Sequence, residues 1–508
     1  MNEIGRPIQY QGNILHNYSS KSTEEKTEIP ASAGEPAAQG ANADLYQSGV
    51  DTHIPQNTVP ANFGDILPPS MPAQGPSQIS SPQKPAQASP SPSPQSRELN
   101  GAADEEFQLP QEFLETMKQI PPYKHVKVML VHGSHTGGHR SAAESVKKVL
   151  DTMPNVEAEV VNALDYTGGE ASKNAQVAAT DFVMNKMAPV RGWFFRQSFK
   201  GNPLVYGLGN LGMRFKSWMS KDFLHKIQQD KPDVILSCHS PMNSMLSYWK
   251  GKGLIDAPVH SVVTDYRVHR MWAQKNIAHY YVASEATKDE LAHFGIDKDK
   301  IEVSGIPIKP EFARPQELSK SELKEKLGIN PEIPMVLMMG GSLGLGRFKE
   351  MAQALNEVKT PVQMVCITGK NSAKKAELEE LGRQIKMPLT VLGYADNVNE
   401  WMDACDVIVS KPGGLTTSEI FARKLPMIIL DPMPGLEEML IPTIVGTGAA
   451  LSVKGPEGAA HMIEQLCADT TMKTKLEENL EKTGKPFAAY EVASDLVMTA
   501  LDGTGSAK

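Results

Sequence analysis

Residues 411–419 read Lys-Pro-Gly-Gly-Leu-Thr-Thr-Ser-Glu, directly after the apolar run Val407-Ile408-Val409. The pattern predicts a buried strand that runs into paired glycines, then paired threonines, then a helix carrying Glu419. Glycines let backbone N–H groups approach a ligand closely. A helix N-terminus favours anions such as phosphate, and a carboxylate one turn on can accept from two ribose hydroxyls. Residues of these types in this order suit a nucleotide diphosphate held by phosphate and sugar. An ordinary strand–turn–helix with a surface glutamate would carry the same letters.

Two further positions could do chemistry. The loop Gly133-Ser134-His135-Thr136-Gly137-Gly138-His139-Arg140 follows the apolar run Val126–Val131 and precedes a helical pattern from Ser141 to Leu150. Gly137 and Gly138 would make an anion site or let a substrate reach the backbone. His139 at the helix entry could act as a base or orient a hydroxyl, or could cap and pack. The loop lacks the Lys-Ser/Thr pair of a P-loop and the Gly-x-Gly-x-x-Gly spacing of a dinucleotide site. Val262-Val263-Thr264-Asp265 puts an acid at the C-terminal end of a strand, the edge that faces the ligand crevice in α/β proteins. Asp265 is a candidate general base toward an acceptor hydroxyl, with helix capping as the alternative.

Two series of alternating strands and helices must position these residues. The first has strand candidates at Val126–Val131, Glu157–Val161, Val234–Cys238, Ser261–Thr264, Tyr280–Ala283 and Ile301–Val303. The second has Met335–Met339, Val362–Thr368, Leu389–Leu392, Val407–Val409 and Met427–Leu430, with Gly340-Gly341-Ser342-Leu343-Gly344-Leu345-Gly346 after its first strand. Such alternation implies parallel strands with crossover helices. The expected organisation is an α/β protein of two doubly wound, Rossmann-like domains facing a cleft. The domains span 124–308 and 334–482, with a linker at 309–333 and a C-terminal helix and tail at 483–508. Residues 1 to about 105 are rich in Pro, Ser, Gln and Ala, bury too little apolar surface to offset ordering entropy, and are expected to be a disordered tail.

The chain has 508 residues, 40% of them hydrophobic, and a net charge of −8, which argues against a general nucleic-acid partner. Cys238, Cys366, Cys405 and Cys467 are scattered, so free thiols in a reducing compartment are expected, with no metal centre. No apolar run is long enough to span a bilayer and no secretory signal is evident. Against this acidic background, 182–226 stands out as basic and aromatic. Arg191, Trp193, Phe194, Phe195, Arg196 and Lys200 lie at its centre. It suits contact with an anionic membrane surface, apolar side chains entering the headgroup boundary and cations meeting lipid phosphates. A pair of core helices with solvated basic faces suits it as well. The expected location is cytoplasmic and peripheral on a membrane, at the cytoplasmic face of the cell membrane in a bacterium.

Taken in order, the motifs from about 126 to 495 resemble the monogalactosyldiacylglycerol synthase and processive diacylglycerol glucosyltransferase group of GT-B glycosyltransferases. The matching stretches include Gly137-Gly138-His139-Arg140, Lys231-Pro232-Asp233, Val263-Thr264-Asp265, Gly305-Ile306-Pro307, Met339-Gly340-Gly341, Thr368-Gly369-Lys370-Asn371, Leu392-Gly393-Tyr394, Ser410–Glu419 and Pro434-Gly435 with Glu437. The resemblance implies a GT-B fold and transfer of a hexose from a UDP-sugar to a diacylglycerol-type lipid, with inversion, no metal and no cofactor beyond the donor. It places Gly340, Gly341 and Ser342 near the phosphates, Gly393 and Tyr394 at the uracil, and Gly414, Thr416 and Thr417 at the diphosphate. Glu419 falls at the ribose. Lys370, Asn371, Lys411, Gly413 and Glu437 complete the donor set, and His139 and Asp265 become the acceptor-activating pair. The family usually has Gln and Asn where this chain has Leu436 and Leu440, which bears on the identity of the sugar. Two other readings stay open: a peptidoglycan-type UDP-N-acetylglucosaminyltransferase, and a catalytically weak nucleotide-sugar-binding membrane adaptor.

Overall fold

A computed structural model describes residues 108–133, 137–166, 188–432 and 437–503. The expected tail lies outside the described residues. The described residues belong to one compact unit holding two parallel six-stranded sheets.

The first sheet contains β1 (Val126–His132), β2 (Val156–Asn162), β3 (Val234–Ser237), β4 (Val259–Val262), β5 (His279–Tyr281) and β6 (Ile301–Glu302). Its order is β2-β1-β3-β4-β5-β6. The second contains β7 (Met335–Met339), β8 (Gln363–Ile367), β9 (Leu389–Leu392), β10 (Val407–Ser410), β11 (Met427–Ile429) and β12 (Ala450–Ser452), in the order β12-β11-β10-β7-β8-β9. The near-continuous apolar runs form strands because helices cover both faces of each sheet, as parallel sheets require. Every residue of β3, β4, β7, β8, β10 and β11 is buried. β12 was not foreseen: Ala450-Leu451-Ser452 is too short and too small in side chain to announce a strand.

Strand order fixes where ligands go. It reverses between β1 and β3 in the first sheet and between β7 and β10 in the second, and the crevice opens at such a switch point beyond the strands' carboxyl ends. Register then sets the height of the loops. Met339 pairs with Ser410 and with Ile367, and Ile367 with Leu392, so the loops starting at Gly340, Thr368, Gly393 and Lys411 leave the second sheet at one level. Val131 pairs with Ser237, and Ser237 with Ser261, which brings the loops after β1, β3 and β4 to one edge of the first.

The stretch 309–333, expected as a linker, is packed structure. Phe312, Leu323 and Ile329 are buried in the core of the second half beside Met335 and Trp401. The short helix Lys320–Lys326 starts in a reciprocal Ser319–Glu322 capping box, a sequence signature of a helix start. The helix Ala488–Asp502 crosses back to the first half, where Tyr490, Val492, Leu496 and Val497 bury against Phe113, Leu130 and Val149. Lys124 Nζ closes the seam by donating to the carbonyls of Ala500 and Leu501 at 2.8 and 3.0 Å.

Candidate functional site

The second sheet's switch point is lined with glycine because backbones meet there. Gly341, Gly344 and Gly369 all have positive φ, and a Cβ on Gly369 would lie 2.6 Å from the Ser342 carbonyl. The Lys370 amide donates to that carbonyl at 3.0 Å. The two loops therefore stack main chain on main chain, and bulkier residues would separate them. Against them opens a cavity of about 190 Å³, lined by Gly341, Ser342, Gly369, Tyr394, Thr416 and Glu419, with Lys309, Asp396 and Asn399.

This cavity gathers Gly341, Ser342, Tyr394, Thr416 and Glu419 of the predicted donor set from two loops and one helix. Gly340 and Gly393 serve the frame instead, accepting from the amides of Leu345 at 3.0 Å and Gly369 at 3.2 Å. Asn371 caps the helix Ser372–Gly382, its Oδ1 accepting from the Lys374 amide at 2.9 Å. Lys370 is exposed outside the cavity lining, and Thr417 is fully buried with an unpartnered hydroxyl. Lys309, Asp396 and Asn399 were missed; they carry no local motif, and only the fold turns them inward.

The helix Gly414–Ala422 begins where β10 ends, with Gly413 as its N-cap and no side-chain acceptor on its first-turn amides. Its N-terminal positive charge is thus open to an anion. Glu419 lies on the cavity side. Burial pushes its carboxyl up to about 7, partly offset by the Lys309 ammonium. Lys411 pairs with Glu437 at 3.2 Å.

The first half meets this helix end directly. A Cβ on Gly414 would overlap the Thr264 carbonyl oxygen and come within 3.2 Å of the Asp265 Cα. Glycine at 414 is what lets the two halves close on each other. Asp265 is half-buried, and burial, reinforced by the Glu437 carboxylate, raises its carboxyl to about 6. His139 Nδ1 lies 2.8 Å from Thr264 Oγ1. Burial lowers the His139 pKa to about 4, opposed by a hydrogen bond to the Cys238 backbone and aided by His132. The ring is therefore neutral near pH 7. Gly137 and Gly138 form the exposed first turn of the helix Gly137–Leu150, with open space where side chains would be. His239 stacks at 4.4 Å from His139, and His269 is held neutral by burial beside it. Neither was singled out from sequence. The placement of His239 just after β3, at the switch point, was the available signal.

The basic-aromatic stretch forms the helices Ala188–Phe199 and Pro203–Met219. Trp193 and Phe194 are 53% and 37% exposed, and Arg196 and Lys200 are exposed beside them. The side chains of Arg191 and Phe195 lie outside the described residues. Leu204, Leu208 and Leu211, at helical spacing, are 69%, 61% and 63% exposed. On the opposite side, Val205 is buried and Tyr206 donates to the Ala273 carbonyl at 3.3 Å. Phe199 turns inward, edge-on to His269 at 5.7 Å. Residues 433–436, including Leu436, lie outside the described residues. Leu440 is buried in the second core, so an apolar residue suits its position.

Residues 139–308 match the family model of monogalactosyldiacylglycerol (MGDG) synthase, and residues 335–437 match that of the glycosyltransferase family 28 C-terminal domain. The chain is 29% identical over 381 residues to a processive diacylglycerol beta-glucosyltransferase of Staphylococcus saprophyticus, covering 73% of this chain and 92% of the relative. It is 27% identical over 393 residues to monogalactosyldiacylglycerol synthase 2, chloroplastic, of Arabidopsis thaliana, covering 74% and 82%. Among solved structures, Acinetobacter baumannii MurG aligns at 15% identity and TM-score 0.47 over 73% of this chain and 99% of that one. Over about three quarters of its length the chain is thus similar to the monogalactosyldiacylglycerol synthases and the processive diacylglycerol glucosyltransferases.

Proposed function

We propose that this protein transfers a hexose from a UDP-sugar to the free hydroxyl of a diacylglycerol-type lipid at a membrane surface, making a glycolipid. One observation carries the reading: the open N-terminus of the Gly414 helix abuts the Thr264–Asp265 backbone. A diphosphate on those amides would hold its sugar carbon beside Asp265 and His139. Glu419, in the adjoining cavity, has the acceptor oxygens a ribose diol needs. The acceptor hydroxyl loses its proton to Asp265 or His139 as it attacks the anomeric carbon from the face opposite UDP, so the configuration inverts. The departing diphosphate gains negative charge, and the helix N-terminus with its backbone donors stabilises it without requiring a metal ion.

The acceptor is confined to a bilayer, so the cleft must come to it. The exposed Trp193 and Phe194 on one helix and Leu204, Leu208 and Leu211 on the next, together with exposed Arg196 and Lys200, have the composition of an interfacial surface. No helix among the described residues is long and apolar enough to cross a membrane. Attachment through these residues is peripheral. Incubating the protein with diacylglycerol vesicles and a panel of UDP-sugars, and reading lipid mass and anomeric configuration, tests the proposal. Absence of any hexosyl lipid across the panel would overturn it.

A further inference from the structure

Thr264 immediately precedes Asp265, just beyond the end of β4. It is 6% exposed, and its two polar ends face different halves of the molecule. The hydroxyl is 2.8 Å from His139 Nδ1, within the first half. The carbonyl oxygen presses on Gly414, the first residue of the donor-side helix, so closely that no side chain fits there. The Gly137 and Gly414 helices, one from each half, are also in contact.

We propose that Thr264 is a positioning residue that couples acceptor activation to donor seating: its hydroxyl fixes the His139 ring while its carbonyl sets where the Gly414 helix comes to rest. The inference builds on the proposed transferase reading. A neutral imidazole has one donor and one acceptor nitrogen, and the partner of each decides which holds the proton. With the Cys238 backbone as the ring's other hydrogen-bond partner, the hydroxyl at Nδ1 fixes the orientation of the ring. Because the same residue's carbonyl touches Gly414, the distance from His139 to the diphosphate-binding amides is set through one residue. Proton transfer needs its partners within hydrogen-bond reach, so a rotated ring or a displaced helix end lowers turnover even when each substrate still binds.

The test pairs Thr264→Val, which keeps the shape and removes the hydroxyl, with Thr264→Ser, which keeps the hydroxyl. Expected for Thr264→Val is a fall in kcat of about tenfold or more, the loss of one positioning hydrogen bond, with UDP affinity held within about twofold. Thr264→Ser should restore most of the turnover. Nitrogen-15 NMR of the histidine side chains should show the His139 tautomer or titration changed in the Val variant and native in the Ser variant. Gly414→Ala should weaken UDP binding and lower turnover together, because its Cβ forces the helix end off the carbonyl. A Val variant with wild-type kcat and an unmoved His139 titration would overturn the inference. Should wild-type protein form no glycolipid, the transferase reading falls, and the His139 titration alone then decides whether Thr264 holds the ring.

Discussion

The two halves share an architecture and build their sites differently. In the second half, glycine-rich loops leave the sheet at one level, and main chain does most of the shaping: Gly341, Gly344 and Gly369 allow loops to stack, and Gly413 and Gly414 open a helix end. In the first half, side chains from distant strands converge, with His139, His239, Thr264 and Asp265 drawn from the loops after β1, β3 and β4. Backbone amides are fixed dipoles that do not titrate, which suits neutralising a diphosphate. Proton transfer needs groups whose ionisation the environment can tune, and burial shifts both His139 and Asp265 toward neutrality. On the proposed function, one half would hold charge and the other would move a proton.

The largest effect should come from breaking the first half's chemistry alone. Asp265→Asn and His139→Ala should each lower kcat by about 10²- to 10⁴-fold, the range for a lost general base, with UDP affinity near wild type by calorimetry. Loss of UDP binding in either variant would show that the division between halves is wrong. The reciprocal variant, Glu419→Ala, should weaken UDP binding by about tenfold to a hundredfold, as expected for hydrogen bonds to a charged group. Retained circular dichroism and melting behaviour would confirm that the fold is intact.

The membrane-facing surface gives two smaller tests. Leu208→Asp removes the burial of one leucine, about 1.5–3 kcal/mol, and should reduce co-sedimentation with vesicles while leaving UDP affinity alone. Arg196→Gln with Lys200→Gln should cost about 1 kcal/mol of vesicle binding for each cation removed. That loss should appear on anionic vesicles and vanish at high salt. Equal binding to neutral and anionic vesicles by both proteins would return this face to ordinary packing.

The smallest effect concerns pH. In the free protein, Glu419 holds its proton up to about pH 7, whereas binding two ribose hydroxyls as an acceptor requires the carboxylate. Binding therefore releases a proton, and UDP affinity should rise by about tenfold between pH 6 and 8. The Glu419→Gln variant should lose this rise in calorimetry at the two pH values.

Much of the fold was legible because apolar runs buried on both faces are hard to mistake. β7 and β9 fall at the stretches read from sequence, and the Gly-Gly-x-Thr-Thr-x-Glu segment opens a helix after a buried strand as its pattern predicts. What failed did so for local reasons. β12 is too small in side chain to signal burial. The 309–333 stretch reads as polar and Pro-rich, yet Phe312, Leu323 and Ile329 anchor it in a core. Asn371 caps a helix, Lys370 is exposed and Thr417 is buried, placements that no local pattern announces. The leucine face of the Pro203 helix went unread because an exposed apolar stripe and a buried one have the same spacing.

By itself the sequence determined every strand but β12, the glycine positions and the presence of a carboxylate one turn into the Gly414 helix, since each depends on chemistry within a few residues. Tertiary structure alone decided that Thr264 joins His139 to Gly414, and that Asp265 faces Glu437 across the cleft. It also decided that Lys309 reaches Glu419. These residues are separated by more than a hundred positions in the chain. Strand order and register bring them together, and neither is written in any local stretch.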